Sequence, residues 1–122
     1  MKKIYHLSNC GTCQKIIKEV DPNGVCELQN IKEKNINATE LDALKEKMGS
    51  YEALFSRKAM KYRAMGLHER TLTEADYRQL MLDEYTFLKR PFIIIEDTVF
   101  IGNTKVVVEA AKVMCGQLVI GR

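Results

Sequence analysis

Apolar and polar positions alternate between two periods along this chain, and the switches mark its elements. Lys3 to Leu7 is short, apolar and β-favouring, and predicts a first, central strand. After a polar loop, Ile16, Ile17 and Val20 recur at helical spacing, so a first helix is expected over Thr12 to Val20. Asp21-Pro22-Asn23-Gly24 stops it with a turn. Val25 to Gln29 alternates again and predicts a second strand that carries Cys26. Asn37, with Glu40 three residues on, has the form of a helix N-cap. Leu41, Leu44 and Met48 then give a second helix its apolar face, and Gly49 ends it.

The middle third is helical in character. Tyr51 to Phe55 predicts a short turn, and Lys58 to Met65 a helical piece stopped by Gly66. Thr73 and Asp76 form a capping box, with Leu72 and Tyr77 placed as a hydrophobic staple, and Tyr77, Leu80, Met81 and Tyr85 follow at helical spacing. Phe92 to Ile95 is an unbroken apolar run, as in a buried strand. Glu96-Asp97-Thr98 predicts a tight turn, and Val99 to Ile101 a strand that pairs back. The last helix is expected to turn Val107, Ala110, Ala111 and Met114 inwards.

The resulting order is β-α-β, then helices, then β-β-α. It predicts an α/β fold of thioredoxin-like arrangement, with a mixed four-stranded sheet and a helical insertion at about residues 38–88. The insertion is expected to cover one end of the sheet near the cysteines. At 122 residues, 46% hydrophobic and 29% charged, the chain is expected to be one globular domain, 1–122, with a core of its own. A net charge of +3, spread rather than blocked, gives no case for direct nucleic-acid binding. No apolar run reaches the roughly 18 residues of a membrane span, and the run after Lys2-Lys3 is too short for a signal-peptide core. A cytoplasmic monomer is expected. In that compartment four cysteines read as catalytic, metal-binding or buried rather than as a disulfide framework.

The candidate chemistry lies in Ser8-Asn9-Cys10-Gly11-Thr12-Cys13-Gln14. A strand that feeds through a loop into a helix places Cys10 at the helix N-terminus. There, unpaired N–H groups and the helix dipole favour a thiolate, which is the reactive form. Cys13, about one turn on, is placed to attack a mixed disulfide at Cys10. The rival is half of a zinc site, which needs two more ligands, and only Cys26 and His6 stand near in sequence. Cys26 and Cys115, in apolar surroundings, are expected to be buried inert thiols. His6 and His68 read as packed or solvated.

Four segments together resemble the ArsC/Spx family of thioredoxin-like proteins: Asn9 to Cys13; Phe55-Ser56-Arg57-Lys58 with Lys61 to Leu67; Leu88 to Ile93, which contains Arg90-Pro91; and Val99 to Gly102. In glutaredoxin-coupled arsenate reductases of this family, one nucleophilic cysteine works with three arginines around an oxyanion. The resemblance carries the nucleophile to Cys10 and one arginine to Arg90. Another arginine position falls at Ser56, with Arg57 next door, and the last falls at Gly102. Those reductases tend to have serine where this chain has Cys13.

The resemblance thus implies an arsenate reductase-like oxidoreductase acting on arsenate, another small oxyanion or a disulfide. Cys10 is the nucleophile and Cys13 resolves. Arg90, Arg57 and the backbone at Gly11 and Thr12 bind the anion. Pro91 is expected to be cis. No cofactor or metal is implied, only an external reductant: thioredoxin, a glutaredoxin or glutathione. The Spx branch implies an alternative, a redox-sensing regulator without turnover that docks on the RNA polymerase α subunit through the region of Gly49.

Overall fold

A computed structural model describes residues 2–120, with side chains described up to Gly116. The chain divides into two compact units. One comprises residues 1–34 and 90–122; the other is the segment Asn35–Lys89 between them.

The first unit is built on a four-stranded sheet of order β2-β1-β3-β4. Strand β1 (Lys2–His6) lies inside it, flanked by β2 (Glu27–Asn30) and β3 (Phe92–Ile95), while β4 (Thr98–Ile101) forms the far edge. β1 and β2 run parallel, with Ile4 opposite Leu28, joined by helix α1 (Gly11–Val20). A parallel pair needs such a crossover, and the α1 stretch supplies it. β1 and β3 run antiparallel, with Ile4 opposite Ile93; β3 and β4 form a hairpin, with Ile93 opposite Phe100. Helix α5 (Lys105–Ile120) follows the sheet. Ile4, Ile16, Val20, Cys26, Ile93, Ile95, Val108, Ala111 and Cys115 form one buried cluster.

Two expectations shift here. The second strand begins at Glu27, so Cys26 precedes it instead of lying on it. The cause is Asp21, whose carboxylate accepts the N–H groups of Val25 and Cys26, both at 2.9 Å. Those amides are thereby taken from the ladder. On α5 the buried stripe is Val108, Ala111 and Cys115; Ala110 is exposed and Val107 and Met114 are half-buried.

The second unit is helical. α2 (Ala38–Met48) and α4 (Glu74–Asp83) both start with complete capping boxes, Asn37 with Glu40 and Thr73 with Asp76. Between them lie a 3-10 helix (Glu52–Leu54), the short α3 (Met60–Ala64) and another 3-10 helix (Leu67–Glu69). α4 stops at Asp83, so Tyr85 lies beyond it, opening a 3-10 helix (Tyr85–Phe87) whose N-cap Glu84 accepts the Thr86 N–H. Aliphatic residues such as Leu41, Leu54, Leu67 and Met81 fill much of this unit's core, and an aromatic cluster is set among them. The Phe55 ring meets Tyr62, Tyr77 and Phe87 at centroid distances of 6.0, 4.9 and 5.0 Å. Asp42 accepts from Arg78 Nε at 2.9 Å and from the Tyr51 hydroxyl at 2.6 Å, and these bonds hold its carboxyl at about 2.

Candidate active site

The chain leaves β1 at His6 and turns at once. The Cys10 N–H donates to the Leu7 carbonyl at 3.0 Å, and the Cys10 carbonyl accepts the Gln14 N–H at 3.2 Å, the first bond of α1. Cys10 is therefore the N-cap of α1, in an extended conformation (φ −101°, ψ 108°). The first-turn N–H groups of a helix have no partner within it. Here the Cys10 side chain makes no capping hydrogen bond, but its sulfur lies close enough to the N–H groups of Cys13 and Thr12 for them to favour the thiolate.

The two thiols of the motif are driven in opposite directions. Burial pushes the Cys10 thiol up, but the Cys13 N–H, the Cys13 S–H, the Arg90 guanidinium and the Thr12 N–H together outweigh it. Cys10 is held below its ordinary 9.0. Cys13 is 1% exposed, and its burial, followed by its bond to Cys10 and the Cys10 charge, pushes it up to about 11. One turn of helix thus carries a partly exposed thiol inclined to ionise and a buried one inclined to keep its proton. Both are free thiols.

Arg90 and Pro91 lie in the same unit, just ahead of β3. The Arg90 charge lowers both thiols, and the Arg90–Pro91 peptide bond is cis. The Pro91 carbonyl accepts the Gly102 N–H at 3.0 Å. Gly102 has φ 89°, a conformation that a side chain makes costly, so glycine suits the backbone there. Gly11 and Thr12 are exposed in the first turn of α1. Thr12 also borders an open cleft of about 450 Å³ lined by Lys15, Glu19, Asn103, Lys105 and Glu109.

Arg57 belongs to the other unit, where it donates to Glu52 at 2.6 Å and to the Tyr77 hydroxyl at 2.9 Å. Ser56, beside it, donates its N–H to the Phe87 carbonyl at 2.7 Å.

Two neighbours of the motif escape sequence reasoning. Gln14 places its Nε2 3.4 Å from His6 Nδ1, tying α1 to the end of β1. Burial holds His6 below 6.5, against the opposing charge of Glu33. The available signal is spacing, since Gln14 lies four residues after Cys10. Asp21 is the second. It reads as a turn former, yet it is 6% exposed and its ligand atom lies within 4.8 Å of the sulfurs of Cys26 and Cys115. That cluster of metal-ligating types leaves out Cys10, Cys13 and His6.

Sheet order, a helix launched directly from β1 and a dithiol at its start define a thioredoxin-like α/β protein with a Cys-x-x-Cys site. The chain belongs to the ArsC family, whose model matches residues 5–111. Among solved structures, it is similar to a protein described as a putative arsenate reductase from Yersinia pestis. That match has 23% identity and a TM-score of 0.76, over 89% of this chain and 99% of that one. An ArsC family-related protein from Bacteroides fragilis matches at 24% identity and TM-score 0.77, over 91% and 97%. A Staphylococcus aureus protein solved by NMR matches at 26% identity and TM-score 0.74, over 90% and 97%. A comparison with curated proteins gave no match. No helix among the described residues is long and apolar enough to cross a membrane.

Proposed function

We propose that the protein is a thiol-disulfide oxidoreductase that reduces a small oxyanion, such as arsenate, or a disulfide. The observation that carries this reading is the opposed setting of Cys10 and Cys13 within one helical turn, beside Arg90. The Cys10 thiolate attacks the substrate's central atom, with loss of one oxygen as hydroxide, or one sulfur of a disulfide, with loss of the other as thiolate, and forms a covalent adduct. The N–H groups at the start of α1 and the Arg90 guanidinium stabilise negative charge on thiolate and substrate. Cys13 then attacks the Cys10 sulfur, gives up its proton and releases the reduced product. A Cys10–Cys13 disulfide is left, and two electrons have passed to the substrate. An external dithiol, thioredoxin or a glutaredoxin, returns both thiols by exchange; glutathione is the monothiol alternative. The chain itself needs no cofactor for these steps.

The high pKa of Cys13 suits the order of events. A resolving thiol that stays protonated does not compete with Cys10 for the first attack. Arg57 is engaged with Glu52 and the Tyr77 hydroxyl within the helical unit, and none of the steps above uses it. Gly49 has φ 96° as the left-handed C-cap of α2, which accounts for glycine there without a polymerase partner.

Alkylation of Cys10 followed against pH tests the reading. The reactive form is expected to titrate below 9.0, and Arg90→Ala is expected to move the midpoint upwards, with Cys10→Ser removing the signal. A Cys10 midpoint at or above 9.0 that ignores Arg90→Ala would sink it. Under the same reading, Cys13→Ser leaves the first attack intact and abolishes turnover with a dithiol reductant, which mass spectrometry detects as a trapped Cys10 adduct.

A further inference from the structure

We infer that Cys26 and Cys115 form a second dithiol-disulfide couple, buried and separate from the Cys10–Cys13 pair. The two cysteines come from distant parts of the chain, the turn before β2 and the inner stripe of α5, and meet in the core of the first unit. Their exposures are 9% and 2%. The Cys26 and Cys115 sulfurs and a carboxylate oxygen of Asp21 all lie within 4.8 Å of one another. The Cys26 S–H has both Cys115 and Asp21 as acceptors.

Asp21 is fixed for a role beside these thiols. Its two carboxylate oxygens are aimed by the amides of Val25 and Cys26, and its own N–H caps α1 through the Ile17 carbonyl at 2.8 Å. A carboxylate held in that way accepts the buried Cys26 S–H and fixes where that proton lies. Both oxygens are already committed to amides, and isoleucines and valines wall the rest of the site. These features favour a covalent sulfur–sulfur link over capture of a cation, because among the described residues no fourth His, Cys, Asp or Glu joins the three.

The chemistry balances with hydrogen peroxide as oxidant. Cys26 passes its proton to Asp21, and its sulfur attacks one peroxide oxygen. The O–O bond breaks, and the departing hydroxide takes the proton back from Asp21 and leaves as water. The Cys26 sulfenic acid is then attacked by the Cys115 sulfur. The S–O bond breaks, a second water leaves with the Cys115 proton, and the disulfide remains. Two thiols have lost two electrons to the peroxide. Burial and the elevated Cys26 thiol (about 12) make this couple slow compared with Cys10. It is therefore a record of sustained oxidation, one that ties α5 to the turn before β2.

The test uses the Cys10→Ser/Cys13→Ser double variant under native conditions, treated with graded hydrogen peroxide. Remaining thiols are then alkylated in denaturant and the peptides mapped without reductant. The expected result is a peptide pair joined through Cys26 and Cys115, growing with peroxide dose and time, reversed by dithiothreitol, with circular dichroism unchanged. Asp21→Asn, if it keeps the native dichroism, is expected to slow the link at least several-fold. The inference is overturned if both thiols alkylate fully after a dose that oxidises exposed methionines. It is equally overturned if Cys26 goes on to sulfinic acid without a link, or if the purified protein carries one zinc per chain that shields both thiols. Because Cys10 and Cys13 are absent from this variant, none of these outcomes touches the proposed activity.

Discussion

Asp21 concentrates several structural roles in the first unit. It is 6% exposed, holds two amides at 2.9 Å and borders two thiols. Replacing it with alanine orphans the buried Cys26 N–H, a loss of order 1–3 kcal/mol, and removes the acceptor of the part-buried Val25 N–H, which costs less. Asp21→Ala is expected to lower stability by about 2–4 kcal/mol in urea titration, and Asp21→Asn, which keeps one acceptor oxygen, by less. The sequence shows an aspartate opening a Pro-Asn-Gly turn and nothing of its burial, because burial is decided by α5, which begins more than eighty residues later. Cys10 is the opposite case. Its setting depends on residues that adjoin it, a strand end and a helix start, so the reactive position can be read locally. The part played by Arg90 cannot be read this way, since β3 pairing with β1 is what brings it near.

At the scale of elements, legibility follows how local the determinants are. Both capping boxes are written within four residues, and both are present in full. Thr73→Ala is expected to cost about 1 kcal/mol, read as a lower urea midpoint, since it removes one of the two reciprocal bonds at the start of α4. α5 is less legible because two adjacent stripes are both apolar: Val107, Ala110 and Met114, or Val108, Ala111 and Cys115. Periodicity cannot choose between neighbours a hundred degrees apart on one helix, and packing against α1 and the sheet makes the choice. The two stripes predict different mutants. Ala111→Asp places a charge at a site with no exposure and is expected to cost about 4 kcal/mol or more, whereas Ala110→Asp stays within about 0.5 kcal/mol. Thermal melts of the two variants separate these outcomes.

For the whole molecule, the thiols set an alkaline limit. Cys13 and Cys26 ionise at about 11 and 12 when folded, against 9.0 ordinarily. A raised folded pKa means stability is whole below 9 and falls as pH climbs towards the folded values, because only the unfolded chain releases those protons early. Cys10, with its folded value lowered, works the other way and adds stability as pH rises towards 9. Urea midpoints are thus expected to decline between pH 9 and 11, and Cys26→Ala, where it folds, to flatten that decline. The helical nature of residues 35–89 is plain from caps and glycine stops. Their separate compactness is not, because it rests on Phe55 gathering Tyr62, Tyr77 and Phe87 from across the segment.

The interior place of β1 also has a consequence in time. β2 follows it closely, but β3 lies on the far side of the helical unit, so during synthesis one edge of β1 waits while residues 35–89 are made. At about 5–20 residues per second that delay is roughly 3–10 s. Through that interval the nascent sheet has an open edge of Ile4 and Tyr5, and Cys10 lacks the arginine that comes with β3. A ribosome-bound chain halted before Arg90 should therefore show a Cys10 that ionises at higher pH than the Cys10 of one released past Ile101, because the Arg90 charge is missing from it.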